Sequence, residues 1–190
     1  MAAEALVKSY AKSFKIPIII TRGNNVYGPR QYPEKLIPKF ICRLLRKDTC
    51  CIHGDGNNLR NYLYVDDVVE AFDIIFHKGE IGSVYNIGTS IVKSNLEVAK
   101  DLIQVMELEN QENKLIEFVE DRAFNDFRYN IDSTRLEELG WKPRIEWKDG
   151  LKRTVVWYRS HLNSWARLEE ALKPHPKFNN GSNGMSFKIL

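Results

Sequence analysis

The stretch that most constrains this chain is Ile16–Thr21 together with the polar segment after it. A short, almost wholly apolar run suits a parallel strand covered on both faces. It leads into Arg22-Gly23-Asn24-Asn25-Val26-Tyr27-Gly28-Pro29, which is dense in turn formers. Ahead of it, Met1–Phe14 reads as a helix. Ala2, Ala3, Ala5 and Leu6 are strong helix formers, and Leu6, Val7, Tyr10 and Phe14 recur at helical spacing. No capping residue precedes this helix. Helix, buried strand, polar loop is the order of a doubly wound α/β sheet, where ligands sit beyond the carboxyl ends of the strands. Residues 22–29 are therefore the first place to look for chemistry.

The same grammar continues. Glu34–Arg46 reads as an amphipathic helix with Ile37, Phe40, Ile41, Leu44 and Leu45 on one side. Cys50–His53 and Leu59–Val65 read as strands around a hairpin turn at Gly54-Asp55-Gly56-Asn57. A helix capped by Asp66 or Asp67 comes next, with Val68, Ala71, Phe72 and Ile75 facing inward. Val84–Ile87 reads as a strand, and Ser94-Asn95-Leu96-Glu97 is a capping box that opens a helix to about Glu107. Glu107–Lys114 reads as a polar loop, Ile116–Val119 as a strand, and Ser133–Leu139 and Asp149–His161 as helices. Pro174–Leu190, rich in Asn, Gly, Ser and Pro, reads as a disordered tail.

Composition removes several function classes. Of 190 residues, 43% are hydrophobic and 28% charged, which is ordinary globular usage. A net charge of +3 is too weak to argue for nucleic acid. No apolar run approaches the roughly 18 residues of a membrane-spanning helix, and no secretory leader is visible. Cys42, Cys50 and Cys51 make neither a disulfide framework nor a zinc motif, so a cytosol-like compartment is expected. Cys50-Cys51 reads as part of a buried strand rather than a redox pair. His53, His77, His161 and His175 are too dispersed for a metal site. Lys39, Arg43 and Arg46 read as a solvated helix face, and Trp141, Trp147, Trp157 and Trp165 as packing anchors.

The polar residues at strand ends and loops carry the functional argument. Asn24, Asn25, Lys35, Arg60, Asn86, Arg122 and Arg128 combine separated cations with amide side chains. Guanidinium forks suit a diphosphate, and carboxamides can both donate to and accept from sugar hydroxyls. Taken singly, each also reads as a surface cation or a turn residue.

Several segments, taken in order, tip that balance. They are residues 22–29, Tyr32-Pro33-Glu34-Lys35-Leu36-Ile37-Pro38, Ile52-His53-Gly54-Asp55-Gly56, the run from Leu59 to Asp67, and Val84-Tyr85-Asn86-Ile87-Gly88. Asp121-Arg122, Asp126-Phe127-Arg128-Tyr129, Leu139-Gly140-Trp141-Lys142-Pro143 and Thr154-Val155-Val156-Trp157-Tyr158 complete the set. Over about residues 2–173 the chain resembles the extended short-chain dehydrogenase/reductase family, and within it the eukaryotic dTDP-glucose 4,6-dehydratases. The resemblance implies an α/β fold: the C-terminal part of a doubly wound Rossmann-type sheet plus a small α/β substrate-binding domain. Residues 1–29 would hold a residual Rossmann helix and strand. Residues 30–173 would interleave the remaining Rossmann strands with the substrate-binding cap, and 174–190 would form the tail.

The resemblance also implies a function, a cytoplasmic lyase that uses NAD to convert dTDP-glucose to dTDP-4-keto-6-deoxyglucose. The partner is a nucleotide sugar, with no nucleic acid and no membrane, and a homodimer is left open for the complete enzyme. Asn25 matches a substrate contact, and Val26 sits where the backbone approaches NAD. Lys35 and Leu36 match substrate contacts in the cap. Cys51 and His53 fall where the family places a proline and an aromatic residue against the nucleobase. Arg60 and Arg122 match arginines on the diphosphate, and Asn86 matches another nucleotide contact. Asn125 follows Phe124 where bacterial members have Gly-His, and His53 replaces their Tyr, so dTDP and UDP both stay open.

Some family parts have no counterpart. The sequence has no Gly-x-x-Gly-x-x-Gly loop, no Tyr-x-x-x-Lys pair and no Thr-Asp-Glu group. Tyr10 with Phe14, and Tyr158 with Leu162, fail the second pattern. No catalytic residue and no metal ligand is therefore assigned. The resemblance places Met1 one residue past the family's catalytic lysine, so the uncapped helix reads as one cut in its middle. The expectation is a chain inactive alone, with an unpaired sheet edge and an apolar face that favour association. A UDP-sugar epimerase or decarboxylase of the same superfamily is the alternative enzyme. A truncated nucleotide-sugar-binding or regulatory isoform is the alternative outside enzymes.

Overall fold

Continuous apolar runs predict parallel pairing, and three of the four strand ladders among the described residues are parallel. The computed structural model describes residues 2–121 and 131–173. Helix α1 (Ala2–Phe14) leads to β1 (Ile20–Gly23), which runs parallel to β5 (Val84–Ile87) with Ile20 opposite Val84. The chain then steps sideways. Strand β2 (Asn25–Tyr27) pairs in parallel with β4 (Leu59–Tyr64), Asn25 opposite Tyr62. Strand β6 (Val92–Ser94) lies antiparallel on the start of β4, Leu59 opposite Ser94. A third sheet joins β3 (Cys50–His53) to β7 (Ile116–Val119) in parallel.

The remaining helices are α2 (Leu36–Leu45), α3 (Val65–Lys78), α4 (Asn95–Val105), α5 (Glu112–Leu115), α6 (Thr134–Glu138), α7 (Trp147–His161) and α8 (Leu168–Leu172). A large core forms where α2, α4 and α7 bury Ile41, Leu102, Ile103, Leu151 and Tyr158 against Ile52 and Tyr62. A smaller one gathers Leu63, Ala71, Ile75, Tyr85, Ile87, Leu136 and Trp141. The capping box closes as the sequence dictates. The Glu97 amide donates to Ser94 Oγ at 3.1 Å, and the Ser94 amide donates to the Glu97 carboxylate at 2.7 Å.

Several expectations are corrected. The first strand starts at Ile20 rather than Ile16. Pro17 has no N–H to give a ladder; the Ile18 carbonyl already accepts the Gly82 amide, and the ladder with β5 proper opens at Ile20, whose amide donates to the Ser83 carbonyl. Residues 25–27, expected as loop, form β2 because β4 offers them a partner. The second helix starts at Leu36, after a turn closed by the Lys35 amide on the Tyr32 carbonyl at 3.1 Å. There is no hairpin at Gly54–Asn57, since β3 pairs only with β7 and β4 only with β2 and β6 among the described residues. The turn packs on α4 instead. The Leu96 amide donates to the Gly56 carbonyl at 3.2 Å, and a Cβ on Gly56 would lie 2.6 Å from Ile52 Cγ2.

Asp66 and Asp67 do not cap α3, whose cap position is Tyr64 with no side-chain bond. The Asp67 carboxylate accepts the amides of Arg144 at 3.0 Å and Ile145 at 3.2 Å. Phe72 faces outward, because the buried stripe of α3 is Asp67, Ala71 and Ile75 and position 72 lies about 100° around the helix from 71. Most of Glu107–Lys114, expected as loop, is helical: a 3-10 turn at Glu109–Gln111 leads into α5.

Lys39, Arg43 and Arg46 are not a purely solvated face. Lys39 Nζ donates to the Lys173 carbonyl at 2.7 Å, Arg43 reaches the Leu172 carbonyl, and Arg46 pairs with Glu169. The cations hold α8, which the apolar pattern did not predict. No residue of α1 is buried, and Leu6, Tyr10, Phe14, Val69 and Phe76 are exposed. No described helix is long and apolar enough to cross a membrane. The expected tail at 174–190 lies outside the described residues.

Candidate functional site

Parallel pairing places the carboxyl ends of β1 and β5 together, and of β2 and β4 together. Between the two pairs the chain crosses at Asn24, whose amide donates to the Ile87 carbonyl at 3.2 Å. Asn25 opens β2 and is exposed, Val26 is half-buried, and Tyr27 is buried. Tyr27 anchors this strand. Its hydroxyl donates to the Trp147 carbonyl at 3.3 Å, and its ring meets Tyr62, Tyr64 and Trp147 edge-on at 6.4, 5.5 and 5.0 Å. Gly150 makes this possible, since a Cβ there would lie 2.2 Å from the Tyr27 hydroxyl.

Arg60 lies on β4, two residues before Tyr62, so Asn25 and Arg60 belong to one sheet. Its guanidinium donates to the Leu59 carbonyl at 2.8 Å. Lys93 stands opposite Arg60 across the ladder, and Asp101 matches its charge at 2.9 Å. The same carboxylate takes Trp147 Nε1 at 2.7 Å. On β3, Cys50 and Ile52 point into the core, so Cys51 and His53 share the other face. His53 Nδ1 lies 3.2 Å from the Glu120 carbonyl, and the Asp121 carboxylate lies 3.0 Å from where a Cβ on Gly54 would stand. Asn86 on β5 donates to the Asp132 carbonyl at 2.8 Å. Lys35 is exposed just before α2, and Leu36 packs against the large core.

The structure therefore groups Asn25, Val26 and Arg60 on one sheet. It groups Cys51 and His53 on a second, and places Asn86 on a third. Arg122 and Asn125 lie outside the described residues. Two clefts of about 350 and 330 Å³, beside Trp165 and Trp157, are lined by none of the candidate residues. Sequence reasoning missed Gln31 and the true use of Asp67. Gln31 Nε2 donates to the Val26 carbonyl at 2.7 Å, and no periodicity or motif marks it.

Burial pushes the hydroxyls of Tyr27, Tyr62 and Tyr158 well above the ordinary tyrosine range, so none serves as a base near neutral pH. No group of three or more acidic, His or Cys side chains could hold a metal among the described residues. Among the described residues there is also no glycine-rich strand-to-helix turn of the kind that cradles a pyrophosphate.

The chain is similar to several known proteins. The chain is 48% identical over 178 residues to the dTDP-D-glucose 4,6-dehydratase of Bos taurus, covering 92% of this chain and 50% of that protein. It is 50% identical over 175 residues to a trifunctional UDP-glucose 4,6-dehydratase, 3,5-epimerase and reductase of Arabidopsis thaliana, covering 92% of this chain and 26% of that one. Its structure resembles the dTDP-glucose 4,6-dehydratase of Bacillus anthracis, solved with NAD, at a TM-score of 0.78 and 38% identity. That match covers 87% of this chain and 52% of the other. The chain thus spans about half the length of the bovine and Bacillus relatives. The family model for GDP-mannose 4,6 dehydratase matches residues 1–154, and the chain belongs to that family.

Proposed function

We propose that this chain forms the nucleotide-sugar side of an NAD-dependent 4,6-dehydratase acting on dTDP-glucose. The observation that carries the reading is the β2–β4 pairing, which sets the carboxamide of Asn25 and the guanidinium of Arg60 on one sheet beside the loop to Lys35. In this reading Arg60 and Arg122 hold the diphosphate. Asn25, Lys35 and Leu36 hold the sugar. Cys51, His53, Asn86 and Asn125 line the nucleotide end, and Val26 faces the nicotinamide cofactor. NAD supplies the hydride chemistry when bound. Residues 1–29 then belong to the Rossmann part, and 30–173 interleave it with the cap. The two cores, both built mainly from residues 30–173, support the interleaving, and Tyr27 joins the first stretch to the larger one. A cytoplasmic location fits three cysteines left as thiols, and the exposed apolar residues of α1 fit a homodimer contact. Because the sequence lacks Tyr-x-x-x-Lys and the glycine-rich loop, the chain alone is expected to bind but not turn over substrate.

The test is calorimetric titration of the chain with dTDP-glucose, and with UDP-glucose in parallel. Saturable binding that Arg60→Ala weakens about tenfold or more, as loss of a charge-assisted hydrogen bond predicts, supports the reading. Absence of binding, or equal binding by the variant, refutes it. UDP-glucose binding the tighter would move the substrate from dTDP to UDP sugars.

A further inference from the structure

The residues of the proposed site fall on either side of one loop. Asn25 and Val26 precede it, Lys35 and Leu36 follow it, and residues 28–35 join β2 to α2. A free loop of this length would leave the distance between the two pairs undefined. This one is fixed at several points. Gly28 sits so close to Val65 that a Cβ would lie 2.5 Å from Val65 Cγ1. Arg30 adopts a left-handed backbone at φ 66°, which persists in a side-chain-bearing residue only where its neighbours enforce it. Tyr32 meets Trp165 edge-on at 5.7 Å, and the Lys35 amide closes on the Tyr32 carbonyl.

Gln31 links these restraints. Its side-chain Nε2 donates to the Val26 carbonyl at 2.7 Å, back on the strand. Its backbone carbonyl accepts the hydroxyl of Tyr158, which is fully buried on α7. One residue therefore ties the strand that carries Asn25 and Val26 to the helix packed against α2. The orientation of the amide is fixed, because a carbonyl acceptor requires an N–H opposite it.

We propose that Gln31 is a positioning residue, which sets the span between Asn25 with Val26 on one side and Lys35 with Leu36 on the other. This rests on the nucleotide-sugar reading above. It requires a donor at the end of the side chain. A glutamate has the same length, but as a carboxylate it only accepts and faces the Val26 carbonyl unfavourably. Once protonated it carries an O–H and can donate again.

The experiment compares the chain with Gln31→Ala, Gln31→Glu and Tyr158→Phe. Two readouts are used: titration with dTDP-glucose at pH 7.5 and pH 5, and amide hydrogen exchange. At pH 7.5 both Gln31 variants should bind about tenfold more weakly, the size expected for one hydrogen bond and its unpaired partner. At pH 5 a glutamate is only partly protonated, so Gln31→Glu should regain part of the loss relative to the unsubstituted chain, while Gln31→Ala should regain none. Exchange at the amides of Lys35 and Lys39, which donate to Tyr32 and Lys35, should quicken in all three variants, with α4 staying protected. Unchanged binding in both Gln31 variants, or no difference between them at pH 5, overturns the positioning role. If the unsubstituted chain binds no dTDP-glucose, the functional reading fails. The exchange pattern then still decides whether Gln31 sets the loop, and unchanged rates at Lys35 and Lys39 refute that.

Discussion

Replacing Asp67 by alanine should destabilise the protein far more than loss of a helix cap would. Asp67 is 2% exposed in the first turn of α3. Its carboxylate accepts the amides of Arg144 and Ile145, and its backbone carbonyl accepts Trp141 Nε1 at 2.9 Å. Trp141 is itself wholly buried. This one residue therefore fastens α3 to the segment that leads into α7. Alanine removes both side-chain acceptors. A buried donor left unpaired costs about 1–3 kcal/mol. Arg144 is exposed and Ile145 half-buried, so water relieves part of that cost and the sum comes to about 2–4 kcal/mol. At roughly 2–4 °C per kcal/mol for a chain of this size, the melting temperature should fall by about 4–16 °C. Circular dichroism at 222 nm measures the melt, and the near-ultraviolet tryptophan band reports whether Trp141 loses its packing. Asp67→Ser separates the two readings. Serine is as good a helix cap as aspartate and would cost only tenths of a kcal/mol if capping were the role. It cannot span two amides, so the network requires a loss close to that of alanine. A Ser variant within about 0.5 kcal/mol of the unsubstituted protein would refute the network.

Two further outcomes are expected from the same packing. Gly150→Ala should destabilise by about 1–3 kcal/mol although alanine favours helices, because its Cβ would meet the Tyr27 hydroxyl at 2.2 Å and the Tyr64 ring at 2.9 Å. Adding Tyr27→Phe should recover part of the loss in a double-mutant cycle, and strict additivity would show that the hydroxyl is not the obstacle. Stability should also fall in alkali. Burial raises Tyr27, Tyr62 and Tyr158 above their ordinary 10.0, and pushes Cys42 and Cys50 from 9.0 up to about 12. Folded values raised above unfolded ones mean that this stability is complete below about pH 9 and drains away as pH climbs, since the unfolded chain ionises first. Urea midpoints should hold from pH 7 to 8.5 and drop steadily above 9, and a midpoint unchanged at pH 11 would sink the argument.

Local signals in the sequence are legible where one residue decides one contact. The Ser94–Glu97 box, the alternation of Cys50–His53 and the strand at Val84–Ile87 need only their own residue types. The illegible features depend on partners far along the chain. Nothing within Gly54–Asn57 tells whether β3 pairs with β4 or with a strand more than 60 residues on. Asp67 fits a cap by local rules, and only the distant amides of Arg144 and Ile145 claim its carboxylate. For the site, Asn25 and Arg60 stand out as residue types suited to a sugar and a diphosphate. Their common sheet does not, because Asn25 sits in a stretch whose turn formers hide a three-residue strand. Gln31 escapes for a related reason: its function lies in bonds to Val26 and Tyr158, and its own neighbours announce neither.

The row of cations on α2 shows how these distant contacts bear on the proposed site. Lys39, Arg43 and Arg46 recur at helical spacing, and by composition alone they describe a wet surface. A helix end, however, leaves carbonyls without partners, and cations nearby are stabilised there. The end of α8 supplies the carbonyls of Leu172 and Lys173 to Arg43 and Lys39, while Glu169 at its start takes Arg46. Both ends of α2 are thereby held: the loop pinned by Gln31 fixes its start, and α8 fixes its far half. Ile37, Phe40, Ile41 and Leu44 bury the face between. A helix so constrained has little freedom to rotate or slide, because shifting it would break polar contacts at one end and repack the core in the middle. Lys35 and Leu36 stand at the start of that helix. Their position is therefore set by the whole of α2 and its clamps, which makes this stretch the rigid part of the proposed nucleotide-sugar site.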